Sequence, residues 1–274
     1  MFRHFFDVLM GCPAVRVAVS ETVRKLHLGS FRTRVNLGAL ERPPYAYCVY
    51  HGVDLARRLG HRRVSVIELG VAGGRGLLAL EQYAQEASRE LSVEIDVYGF
   101  DRGEGLPRPR DCRDAPFFWN EGFYKLDVAR LQARLHKARL VIGDMRETAA
   151  TFFEQFRPAP IAAVMFDLDF YSSTVDALRM FEQDEKYFLP RVFCCFDDVI
   201  GGELLLLNEY NGELLAIREF NDSHDRKKIT AARHLLTRKA VEMWYHQVFV
   251  YHDFGHTRYM DFVGTGDTGL LDLR

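Results

Sequence analysis

Ser65-Val66-Ile67-Glu68-Leu69-Gly70-Val71-Ala72-Gly73-Gly74-Arg75-Gly76 is the stretch that decides the fold. A short apolar run delivers Glu68, and a loop with glycines at 70, 73, 74 and 76 leads into the helical pattern of Leu77–Ala87. A strand that presents an acid and a glycine-rich turn is how doubly wound α/β proteins receive a nucleoside cofactor. Glycine carries no Cβ, so the backbone of such a turn can approach a ligand closely. The turn does not fit strict G-x-G-x-x-G. Only the looser G-x-G-x-x-A form occurs, at Gly74, Gly76 and Ala79, and it starts late relative to the strand end, which weakens a nicotinamide dinucleotide reading.

Outward from this turn, apolar strands alternate with amphipathic helices, the order of βαβ units in a mostly parallel sheet. Strands are expected at 63–69, 93–100, 138–142, 161–168 and 191–197, and helices near 75–90, 125–136, 146–156 and 172–183. A polar, aromatic-rich insertion (103–124) follows the second strand. Beyond 200 the pattern gives a helix over 204–220, another near 228–237, and β-rich segments at 241–252 and 257–263, read as an antiparallel hairpin at the sheet edge. Residues 1–60 read as a mainly helical N-terminal cap, opened in part by Arg42-Pro43-Pro44, ahead of a cofactor-binding domain over 61–274.

Each strand end carries chemistry. The second closes on Val97-Tyr98-Gly99-Phe100-Asp101, where a carboxylate accepts hydrogen bonds from both ribose hydroxyls of a nucleoside lying across the strand ends. The third closes on Gly143-Asp144-Met145; Asp144 can accept from an adenine amino group and is also a good N-cap for the helix that follows. The fourth runs into Phe166-Asp167-Leu168-Asp169-Phe170-Tyr171-Ser172-Ser173-Thr174, two carboxylates two residues apart and so on one side of an extended chain. The fifth ends in Asp197-Asp198. Adjacent parallel strands then bring up to four carboxylates to one edge, and such a cluster repels itself unless a cation or protonation relieves it. A hard divalent ion such as Mg²⁺ suits an oxygen-only site with retained waters.

Composition narrows the function. A formal charge of −2 over 274 residues gives no bulk reason to bind nucleic acid or an anionic membrane. Five cysteines with no C-x-x-C spacing indicate neither a disulfide framework nor a zinc site. Asp7 interrupts the short apolar start, so Met1–Cys12 does not read as a signal segment, and a cytoplasmic protein is the default. G-x-G-x-x-G at Gly264–Gly269 follows the last strand with no helix after it and reads as tail. His246, His252 and His256 read as structural or rim residues.

The five strand-end signals in this order resemble those of class I S-adenosylmethionine-dependent methyltransferases, over about residues 63–200. Tyr98-Gly99-Phe100-Asp101 with Glu104-Gly105-Leu106-Pro107 is similar to the Y-G-F-D-x-x-x-G-L-P stretch of the macrocin-type sugar O-methyltransferases. Asp167–Thr174 is similar to their D-x-D-x-Y-x-S-T motif, and Asp197-Asp198 to their paired acids. The resemblance implies a Rossmann-like methyltransferase fold, α/β with a doubly wound seven-stranded sheet. It implies S-adenosylmethionine held by Glu68, Gly70, Ala72, Gly73, Asp101, Gly143, Asp144, Met145 and Asp167. It also implies Mg²⁺ on Asp167, Asp197 and Asp198, with Asp169 as the catalytic base. Asp198 is followed by Val-Ile-Gly where that family has Asp-Tyr. The acceptor implied is a hydroxyl on a small molecule; a sugar follows from the resemblance, while a phenol or catechol fits the carboxylates equally well. Oligomeric state stays open. A nicotinamide-dependent oxidoreductase and a catalytically silent, cofactor-binding scaffold are the competing functions.

Overall fold

The computed structural model describes residues 12–264. Most of the apolar start, and the glycine-rich tail from 265 onward, lie outside the described residues.

Three helices precede the sheet: α1 (Pro13–Lys25), α2 (Phe31–Leu37) and α3 (Pro43–Arg58). The alternating part follows as β1 (Arg63–Leu69), α4 (Arg75–Leu91), β2 (Glu94–Asp101), α5 (Val128–Gln132), β3 (Arg139–Ile142), α6 (Met145–Phe156), β4 (Ile161–Phe166), α7 (Tyr171–Leu178) and β5 (Phe188–Phe196). The chain closes with α8 (Gly212–Ser223), β6 (Lys227–Ala231), α9 (Arg233–Leu236) and β7 (Val248–Asp253). The seven strands are ordered β3-β2-β1-β4-β5-β7-β6; β7 runs antiparallel to both neighbours and the other pairings are parallel. The expected doubly wound α/β sheet is present.

The hairpin differs from expectation. Its first strand is Lys227–Ala231, overlapping the start of the stretch near 228–237 read as a helix, and 257–263 holds no strand. Only Ile229 of this strand is fully buried, so its apolar pattern is too sparse to register as strand periodicity. Lys227 and Lys228 bond the carbonyls of Phe181 and Asn221 instead of facing a neighbour, and lysines on an edge strand discourage further pairing.

Alternation along the strands feeds two cores. Val64, Val66, Met165, Cys195 and Val248 face the layer of α3 and α4. Ile67, Leu69, Phe100, Val164, Phe166, Phe196 and Tyr251 face the layer of α6, α7 and α8. Helix α4 turns Leu77, Leu80, Ala84, Ala87 and Leu91 inward at helical spacing. Helix α3 buries Tyr45, Ala46, Cys48, Val49, Val53 and Ala56 and lies so close to β4 that a Cβ on Gly52 would come within 2.4 Å of the Ala162 carbonyl oxygen. Cys48, Cys194 and Cys195 are buried free thiols. Among the described residues no helix is long and apolar enough to cross a membrane.

The register positions the site. Leu69 pairs with Phe100 and with Phe166, Asp101 with Ile142, and Phe166 with Phe196. The tips of β1 to β5 therefore end level, and Gly70, Asp101, Gly143, Asp167 and Asp197 emerge along one edge. Gly52→Ala is expected to destabilise the fold by about 1–3 kcal/mol through overpacking against a backbone atom that cannot retreat. Chemical denaturation reads this directly, and an unchanged midpoint would mean α3 is not held against β4.

Candidate active site

At this edge lies a cavity of about 230 Å³ whose lining includes Gly70, Ala72, Asp101, Gly143, Asp144, Met145, Asp167 and Asp169. Two larger grooves, of about 830 and 950 Å³, contain none of the expected site residues. The smaller cavity is where four strand ends meet, the position at which open α/β sheets bind ligands.

The β1 turn is built around positive φ. Gly70 has φ +88°, and a Cβ there would sit 1.8 Å from the Asp167 carbonyl oxygen, so no other residue fits between the tips of β1 and β4. Asp101 braces this turn: its Oδ2 accepts from the N–H groups of Val71 (2.9 Å) and Ala72 (2.8 Å), and its Oδ1 from Gly103 (2.6 Å). A carboxylate has about four acceptor sites, so the loop takes most, not all, of the capacity assigned to ribose. Asp144 caps α6 through the Arg146 N–H at 3.0 Å and binds the Arg146 guanidinium at 3.1 and 3.0 Å, which holds its carboxyl below the ordinary value. The cap and the cavity wall are the same residue.

Two expected cofactor residues stand elsewhere. Glu68 is 1% exposed and does not line the cavity; it lies beneath the turn, with its Oε1 3.0 Å from the Tyr45 hydroxyl and its Oε2 without a partner. A Cβ on Gly76 would meet that Oε1 at 1.8 Å, so Glu68 fills the space under the start of α4. Gly73 is likewise absent from the lining, with open space where its Cβ would stand.

Asp167 and Asp169 both reach the cavity, but not because the chain stays extended. β4 ends at Phe166 and Asp169 adopts φ +61°, a kink held by Phe170 N–H donating to the Leu168 carbonyl at 2.6 Å. The Asp169 N–H donates to Asp198 Oδ2 at 2.9 Å. Strained non-glycine backbone of this kind persists only where its surroundings impose it, often at functional sites.

The paired acids of β5 stand behind the cavity. Asp197 Oδ1 accepts from Gln247 Nε2 at 2.8 Å, and the Asp198 N–H donates to Glu213 Oε2 at 3.0 Å. Asp167 Oδ2 accepts from Arg42 Nη1 and from the Tyr45 hydroxyl, both at 3.2 Å. Oxygen donors of this type suit Mg²⁺, yet among the described residues no three Asp, Glu, His or Cys side chains are gathered to hold one ion. The expected set of Asp167, Asp197 and Asp198 does not fit the metal in this arrangement, because each acid is already turned to a protein donor or to a neighbouring peptide. His246, His252 and His256 do not line the cavity; His252 pairs with the Tyr259 hydroxyl at 2.9 Å and His256 with the Phe188 carbonyl at 3.2 Å.

Sequence reading missed the partners of this cluster: Arg42, Tyr45, Glu213 and Gln247, each distant in sequence from the acid it touches. It also missed how the 103–124 insertion is fastened. Asp114, 1% exposed, accepts from the Ser172 N–H (2.8 Å) and hydroxyl (2.9 Å), and so caps α7 from outside. The insertion places Gly105, Leu106, Pro107, Arg108, Arg110 and Tyr124 on the cavity wall.

No protein-family profile matches the chain, and no curated protein matches it in sequence. Solved structures do. The calicheamicin methyltransferase CalS11 superposes with a TM-score of 0.51 at 21% identity, over 76% of this chain and 78% of its own. The O-methyltransferase NovP superposes at 0.52 with 13% identity, over 77% and 79%. The fold is theirs. What those proteins act on is a separate matter.

Electrostatics sets the protonation of the acids. Burial first, then the charges of Asp167 and Asp197, push the Asp169 carboxyl up to about 7. Burial, then Asp197, pushes Asp167 up to about 6 against the pull of Arg42. Burial is also the leading cause of the upward shifts of Asp197, Asp198, Glu213 and Glu68. A carboxyl raised in the folded state takes up a proton on folding, so its stabilising contribution is complete below its unfolded value and is lost as pH rises through the folded one. Asp169→Asn is therefore expected to gain stability relative to the parent chain as pH is raised from about 5 to about 8. Melting curves across that range test it; a difference that does not change with pH would contradict the shift.

Proposed function

We propose that the chain is an S-adenosylmethionine-dependent O-methyltransferase acting on a hydroxyl of a small molecule. One observation carries the reading: a single cavity is lined at once by the β1 turn, by the strand-end acids Asp101 and Asp144, and by Asp167 and Asp169. The shared fold with CalS11 and NovP supports it.

The residues present fit the cofactor. Asp101 would accept from the ribose hydroxyls, Asp144 and Met145 would border the adenine, and Gly70 and Ala72 would admit the methionine part at close approach; all five residues line the cavity. When bound, the cofactor supplies a methyl group already activated on a sulfonium. The chain has then to align an acceptor oxygen and remove its proton; alignment alone is worth about 7–11 kcal/mol in favourable cases. Asp169 is the residue for the proton. It faces the cavity, its carboxyl is held near 7, and a base with a value near the working pH is the most effective one. Its Asp198-anchored N–H fixes the kink from which the side chain projects. Asp169 Oδ would take the proton of the acceptor hydroxyl, while the bound cofactor would supply the methyl group to that oxygen and leave as the neutral thioether. The wall supplied by the 103–124 insertion selects the acceptor.

Calorimetric titration with S-adenosylhomocysteine is expected to give one site per chain, weakened by Asp101→Ala. Asp169→Asn should leave that affinity intact and lower turnover by about 10²–10⁴-fold. Binding of NAD(P) in place of the nucleoside thioether would favour an oxidoreductase, and nucleoside binding with no transfer to any hydroxyl would favour a silent scaffold.

A further inference from the structure

The strand-tip acids raise a question of charge that the site chemistry leaves open. Asp167, Asp169, Asp197 and Asp198 interact with each other, and Glu68 and Glu213 stand immediately behind, 1% and 0% exposed. Glu68 Oε2 and Glu213 Oε1 are buried with no hydrogen-bond partner. Six carboxylates in one half-dry region need positive charge, bound protons, or both.

Among the described residues one cation lies within ion-pair distance of any of the six: Arg42, with its Nη1 3.2 Å from Asp167 Oδ2. Its placement is built. The Arg42 N–H donates to the Tyr83 hydroxyl at 3.2 Å, and the next residue, Pro43, begins α3. The guanidinium lies 4.9 Å from the centre of the Tyr45 ring, and the Arg42 side chain is 32% exposed. Tyr45 closes the arrangement, since its hydroxyl lies 3.0 Å from Glu68 and 3.2 Å from Asp167. One hydroxyl proton cannot be given fully to two carboxylates, so Arg42 supplies Asp167 with the donor that Tyr45 divides. A guanidinium stays charged in such a setting and cannot be lost to a chelator.

We propose that Arg42 is the resident counter-ion of the strand-tip acids, taking the charge-balancing part that a divalent cation would otherwise fill, and that it positions Asp167 through their ion pair. The purpose assigned to Asp167 rests on the methyl-transfer reading; the charge balance does not. The helical segment ahead of the sheet thus completes the site as well as flanking it.

Manganese binding followed by electron paramagnetic resonance tests the proposal without turnover. The parent chain is expected to take up no Mn²⁺ at the acids and to keep its melting temperature when Mg²⁺ is added. Arg42→Gln and Arg42→Ala are expected to acquire one Mn²⁺ per chain, with a rise in melting temperature on adding Mg²⁺. Arg42→Lys, which keeps the charge, should stay metal-free. Site-specific Mn²⁺ uptake by the parent chain, abolished by Asp167→Asn, would overturn the proposal. So would neutral variants that remain metal-free and as stable as the parent. If the neutral variants do not fold, refolding in Mg²⁺ should restore them, and failure of the ion to do so counts against the proposal. Absence of S-adenosylhomocysteine binding to the parent chain would remove the methyl-transfer reading and leave these outcomes intact.

Discussion

Parallel strands that end level impose the rest of this structure. Hydrogen bonding between β1, β2, β3, β4 and β5 aligns Leu69, Phe100, Phe166 and Phe196, and the residues just past those tips have nowhere to go but one edge. Four of the five strands carry an acid there or within three residues. Apolar layers on both faces of the sheet keep that edge partly dry, so the same register that gathers the acids also makes their charge costly. The raised carboxyl values, the kink at Asp169 and the Arg42 ion pair are responses to that one constraint.

Those responses divide the acids by position. Asp101 accepts from the N–H groups of a turn, and Asp144, a helix cap bound by its arginine, is held as the anion. Asp167 and Asp169 lie where the sheet is better covered, and burial favours their protonated forms. An environment that keeps one carboxylate ionised and leaves another poised near neutrality is the usual separation between ligand-holding and proton-transferring acids. The 103–124 insertion sits across this boundary. Asp114 fastens it to α7 at Ser172, three residues past the kink at Asp169, so its cavity wall and the candidate base share a single mechanical support.

Much of this was legible in the chain itself. The alternation of apolar runs and helical stripes is legible because the central strands β1, β4 and β5 are buried on both faces and read as nearly continuous apolar runs. Asp101, Asp144, Asp167 and Asp169 stood out because a charge immediately after such a run has few structural uses. The hairpin is not legible for the opposite reason: Lys227–Ala231 is an edge strand with a single fully buried side chain, and its pattern is too short to separate from a helix. Glu68 reads as a cofactor residue in the sequence because it precedes the turn. A strand residue one place earlier than the tip points beneath the loop instead, where Gly76 leaves it room.

The sequence by itself determined the order of elements, the sheet's parallel character and the acids at the strand ends, since these follow from local periodicity and from the residues at each boundary. Tertiary structure alone decided what those acids touch. Arg42 meets Asp167 across 125 residues, Gln247 meets Asp197 across 50 and Asp114 meets Ser172 across 58. No local pattern encodes such pairs, because an ion pair or cap formed through space depends on where two separately folded segments are packed and not on the spacing of either one.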